Sequence, residues 1–192
     1  MNAACLVLTL LLAQGLQDEA YYSGIKEAVD PMYRLDYEGS RERLADLTRR
    51  YPEHPGPPLA QASAVWLHEL FRRQELDDLD RFVSPGYFTT PTTRRMPEED
   101  REAFESFLDR SEALARRFLE AHPGDRDARY YLGAVEGIRG AYAITIARRK
   151  MDALRHGKRA YQYDKAILDE DPGYADACMT VGLYEYILDN LP

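Results

Sequence analysis

The chain has 192 residues, 45% hydrophobic and 30% charged, with 33 acidic against 25 basic residues and a net charge of −8. That composition belongs to a folded chain rather than a disordered one. The acidic balance excludes general binding to nucleic-acid backbones, which needs a clustered positive surface. Arg94-Arg95 and Arg148-Arg149-Lys150 are short basic clusters and read as solvated faces.

The first segment, "ACLVLTLLLAQG", is an apolar run of signal-peptide length and too short to span a bilayer as a helix. Residues 1–15 are expected to be a signal peptide cleaved after Gly15, which would export the chain to the periplasm or cell envelope. No Lys or Arg precedes the run. The alternatives are an amphipathic first helix or a misplaced start codon, and without a signal peptide the chain would be cytoplasmic. Cys5 precedes the apolar run, the reverse of a lipoprotein signal. Without that segment one cysteine remains, Cys178, which reads as a small buried residue; no Cys/His grouping has zinc-ligand spacing.

Beyond residue 15 nearly every segment has helical periodicity, broken where Pro and Gly collect: "YPEHPGPP", "SPGYFTTPTTRRMP", "HPGD" and "DPGY". The spacing predicts helices near 18–35, 39–51, 58–82, 98–121, 126–147, 151–170 and 175–189, the first kinked or divided at Pro31. In the second, Leu44, Leu47 and Tyr51 recur at helical spacing. In the fourth, Phe104, Leu108, Ser111 and Ala115 share one stripe.

Pro52, Pro123 and Pro172 each close a helix rich in Arg, Glu and aliphatic residues. Ten residues beyond each stands a small residue, Ala62, Gly133 or Gly182. Five residues beyond the last two stand Ala128 and Ala177, while the first has Pro57. Small residues at fixed points let helices approach closely, so these five small residues are expected to pack one repeat on the next.

On "YYLGAVEG", "RAYQYDKAILDEDP" and "YADACMTVGLYEY" the chain resembles the tetratricopeptide repeat family, whose pattern joins a leucine-glycine pair, small and aromatic residues on a second helix, and a closing proline. The likeness is good over about 119–189 and loose over 39–70. The prolines are wider apart than a repeat of about 34 residues allows, and Cys178 stands where the family commonly has an aromatic. With "GIRGAYA" followed by "ADACMTVGLYEYILDNLP", the chain is also similar to bacterial envelope members of that family. The resemblance implies an all-α fold in which antiparallel hairpins, about 18–51, 58–121 and 126–170, stack as a right-handed solenoid, with an unpaired last helix at 175–189.

On that arrangement the first helix of each hairpin lines a concave groove. Ser63 and Trp66 come from one lining helix, Tyr130, Tyr131, Ala134 and Ile138 from the next, and Met179, Leu183 and Tyr186 from the last. Arg139 and Arg148 stand where they could hold a carboxylate at the groove edge. Each of these residues has a packing alternative, Trp66 above all.

No nucleophile elbow, phosphate loop or zinc-protease helix occurs, and His54, His68, His122 and His156 stand apart in turns or at isolated helical positions. The expected function is therefore a non-enzymatic scaffold that binds a peptide or partner subunit, with no cofactor or metal. The alternative is a periplasmic carrier that holds a small ligand. Expected partners are a protein or peptide, with no nucleic acid. Membrane association is expected only through the N-terminal signal, and self-association through helix 175–189.

Overall fold

The computed structural model describes residues 16, 18–76 and 94–189, and among them the fold is all-α. The helices are α1 (Glu19–Tyr33), α2 (Tyr37–Arg50), α3 (Gly56–Arg72), α4 (Glu98–Ala121), α5 (Arg126–Thr145), α6 (Lys150–Glu170) and α7 (Ala175–Asp189). The expected signal peptide and most of the 84–97 turn lie outside the described residues. None of the described helices is long and apolar enough to cross a membrane.

The helix ends follow local chemistry. Asp18, Asp36 and Asp125 cap α1, α2 and α5 by accepting backbone N–H groups of their first turns. α3 begins earlier than its prolines suggest, at Gly56, because Pro57 and Pro58 occupy its first turn, where a missing N–H breaks no bond. It also ends ten residues earlier than the apolar pattern predicts. Gln74 takes a left-handed φ of 57°; its N–H bonds the Phe71 carbonyl, and the Glu75 N–H bonds that of Leu70. That is a Schellman turn made without glycine, so the sequence carried no stop signal. Leu35, at φ 65°, ends α1 in the same way.

Pro31 neither divides α1 nor ends it; it lies in the last turn. Its missing N–H leaves the Glu27 carbonyl without its helical donor, and Arg43 of α2 donates to that carbonyl at 3.2 Å. The neighbouring Ala28 carbonyl accepts the Ser40 hydroxyl at 2.8 Å, so α2 ties down the stretch of α1 that the proline weakens.

Each helix packs on the next in chain order, and α1 on α3, α3 on α5 and α5 on α7 as well, whereas the backbones of α2, α4 and α6 do not come close to one another. The odd-numbered helices thus form one layer and the even-numbered ones a second. One apolar cluster joins α1, α2 and α3 through Tyr21, Met32, Leu44, Leu47 and Ala64. Another joins α3, α4 and α5 through Ala62, Leu70, Phe104, Leu108, Val135 and Tyr142. Burying one such Leu or Phe contributes about 1.5–3 kcal/mol.

The contact of α5 with α6 is built differently. A Cβ on Gly133 would stand 2.6 Å from Asp164 Oδ1 and 3.2 Å from Tyr163 Cβ, and one on Gly140 would stand 3.5 Å from the Ala153 carbonyl. Close approach at these glycines brings the two helices together.

Candidate functional site

Two of the aromatic residues expected along a groove, Tyr130 and Tyr131, join other rings at one end of the odd-numbered helices, where they pack on one another. Tyr21 of α1 stacks on His54 with ring centroids 3.7 Å apart and meets Tyr51 edge to face. His54 meets Tyr131 of α5 edge to face, Tyr131 meets Tyr130, and Tyr130 reaches Tyr174 before α7. Tyr21 and Tyr131 hydrogen-bond to each other. Both hydroxyls lie over Gly56, where a side chain would run into that of Tyr21. The Tyr174 hydroxyl donates to Asp127 at 2.7 Å.

His54 is buried rather than solvated in its turn. Its Nδ1 accepts the Gly56 N–H at 3.0 Å, so Nε2 carries the proton and donates to the Leu16 carbonyl at 3.1 Å. Burial holds the imidazole below its ordinary pKa and keeps it neutral. Burial also raises the phenols of Tyr21 and Tyr131 and pushes Tyr130 up to about 12, so these act as hydrogen-bonding and packing groups, not bases.

Trp66 is half-buried against the central cluster, its indole N–H donating to Thr145 Oγ1 at 2.9 Å. Ser63 bonds the Leu59 carbonyl of its own helix. Ala134 is half-buried, and Ile138 packs on the central cluster. The two arginines expected to hold a carboxylate engage carboxylates of the chain itself. Arg139 reaches Asp109 at 2.8 Å and Glu112 at 2.5 Å on α4, while Arg148 lies 3.4 Å from Glu75. Among the described residues, no group of His, Cys, Asp or Glu is placed to hold a metal ion.

An open cleft of about 540 Å³ between α4 and α6 is bordered by Glu112, Arg116, Glu136, Arg139 and Arg159. Its charges are paired within the chain: Glu136 meets His156 Nδ1 at 2.6 Å and Arg159 at 3.6 Å. Another, of about 600 Å³, lies by the turns before α5 and α7, bordered by Asp125, Arg126, Asp127, Asp171 and Tyr174.

The expected packing residues divide at α7. Ala62, Ala128 and Ala177 are fully buried. Gly133 presses on α6, whereas a side chain on Gly182 would meet nothing within 4 Å. α7 buries Ala177 and Val181 and lays the Tyr184 ring on Gly157 of α6. Its other side is exposed: Met179 at 76%, Leu183 at 58% and Tyr186 at 63%. Cys178 is exposed too, not buried as expected, because no described helix packs on its side of α7.

One residue escaped the sequence reading. Counting back eight positions from Pro52, Pro123 and Pro172 gives Leu44, Ala115 and Asp164, all fully buried. Two copies fill this slot with an apolar side chain and the third with a carboxylate. Neither oxygen of Asp164 finds a hydrogen-bond partner, and burial pushes its pKa up to about 6, with Thr180 of α7 the polar side chain that moderates the rise. The proline spacing could have found it, had the count run backward as well as forward.

Compared with protein-family models, curated proteins and solved structures, the chain matches none of the three.

Proposed function

We propose that this chain is a non-enzymatic protein-interaction scaffold of the tetratricopeptide-like kind, whose partner seats a helix on the exposed side of α7. The reading pairs α1 with α2, α3 with α4 and α5 with α6 as stacked hairpins, and α7 begins a further unit. Layered contacts between alternate helices support it. The observation that carries it is the pair Met179 and Leu183, exposed beside the open Gly182 on a helix that otherwise repeats the small-residue register of α5. Large apolar side chains grouped on one side of a helix mark an interaction surface.

The partner's chemistry follows from the charge of α7, which carries Asp176, Glu185 and Asp189 and no basic residue. An amphipathic helix with Lys or Arg on its flanks fits this side, whereas a second α7 would set carboxylates against carboxylates. α6 is such a helix: it seats on α5 and directs His156 and Arg159 at Glu136. The tyrosine cluster, filled by its own rings, leaves the small-ligand carrier without a supporting observation.

A synthetic peptide with the sequence of residues 150–170 is the probe, titrated into the full chain by calorimetry beside Leu183→Glu. Saturable binding that Leu183→Glu abolishes is expected. No binding at millimolar peptide, or binding that ignores the substitution, overturns the reading.

A further inference from the structure

Asp164 sits at the middle of the α5–α6–α7 contact. From α5 it faces Gly133, whose Cβ position lies 2.6 Å from Oδ1, and the Tyr130 phenol, whose ionisation it opposes. From α7 it faces Thr180. On α6 the adjoining buried residues are Ala160 and Ile167, one turn away on either side. Among the described residues no Lys, Arg or His pairs with it; neither oxygen has a partner at close hydrogen-bond geometry, and the Thr180 hydroxyl on α7 only partly offsets the effect of burial. The other two copies of this slot hold Leu44 and Ala115, so the fold has no need of a charge here.

The geometry points to Asp164 as a pH-sensitive latch on α7: protonated, it lets α7 dock on α6; ionised, it favours release of α7, which admits water to the carboxylate. An unpaired charge in a dry contact is relieved most cheaply by the element held most weakly. That element is α7, which packs on α6 and on one part of α5; among its described side chains the buried apolar ones are Ala177 and Val181. α5 is held by helices on both sides and cannot yield as easily.

The sign follows from the direction of the shift. Burial raises the docked value above the hydrated one, so docking is strongest below the ordinary value of 3.8 and weakens as pH rises through about 6. The two values differ by about two units, about a hundredfold in the docking equilibrium. The inference concerns the docking of α7 itself and holds whether or not a partner binds there.

Amide hydrogen exchange on the full chain between pH 4 and 7.5, corrected for the intrinsic pH dependence of exchange, tests it. Protection of residues 175–189 should fall up to about a hundredfold with rising pH while α1–α4 keep theirs. Asp164→Asn should abolish the dependence. So should Asp164→Ala, a side chain the second copy already accommodates at Ala115, which keeps the test open if the Asn variant folds poorly. Protection of α7 that is flat with pH in the unmutated chain, a dependence that survives both substitutions, or a parallel loss across α1–α4 overturns the latch. The peptide titration is a separate readout and can fail while this one succeeds.

Discussion

The contacts of α1 through α4 and those of α5 with α6 and α7 use opposite means. The former interlock large side chains, with Leu44, Leu47, Phe104 and Leu108 all fully buried. The latter bring backbones together over Gly133, Gly140 and Gly157 and bury a carboxylate where the other copies bury Leu or Ala. The first arrangement draws stability from apolar area. The second gains close approach, and at its α7 end buries little apolar side chain among the described residues, with Ala177 and Val181 the buried ones.

The comparison can be broken by substitution. Phe104→Ala should have the largest effect, a loss of about 3–5 kcal/mol in chemical denaturation, because the ring is fully buried and stacks on Tyr142. A loss below about 1 kcal/mol would mean the cluster is not tightly packed. Gly133→Ala should cost about 1–3 kcal/mol by forcing α6 and its Asp164 away. Gly182→Ala, in the same register, should instead stabilise the chain by about 0.5–1 kcal/mol through helix propensity, since nothing lies near it. Equal effects at the two glycines would contradict the difference between α5 and α7.

The smallest effect sharpens the comparison at its aromatic end. Folded His54 is held below its ordinary value of 6.5, so the unfolded chain takes up that proton first. Stability should therefore decline as pH falls below about 6.5, the reverse of the Asp164 direction. His54→Gln should flatten that part of the pH profile in thermal melts, and an unchanged profile would show that the imidazole does not set it.

Much of the fold was legible in one dimension. The helical stripes at Leu44 and Leu47 and at Phe104 and Leu108 were buried as their spacing required, and the small residues Ala62, Ala128 and Ala177 were buried too. The site was far less legible. Tyr130 and Tyr131 gave no sign of which neighbour each would meet, and Tyr21 and Tyr131, 110 positions apart, meet over Gly56 only after α1, α3 and α5 have packed. Arg139 looked available, yet it spends its charge on α4.

By itself the sequence determined most of the helices and their apolar stripes, because periodicity and the backbone limits of Pro and Gly are local properties. It did not determine the end of α3, where Gln74 adopts a glycine-like conformation. Only the tertiary structure decided that Asp164 is fully buried with no charged partner among the described residues, that His54 is one fixed neutral tautomer, and that Gly133 is covered while Gly182 is bare. Burial is a property of what packs against a residue, and that neighbour is distant in the chain.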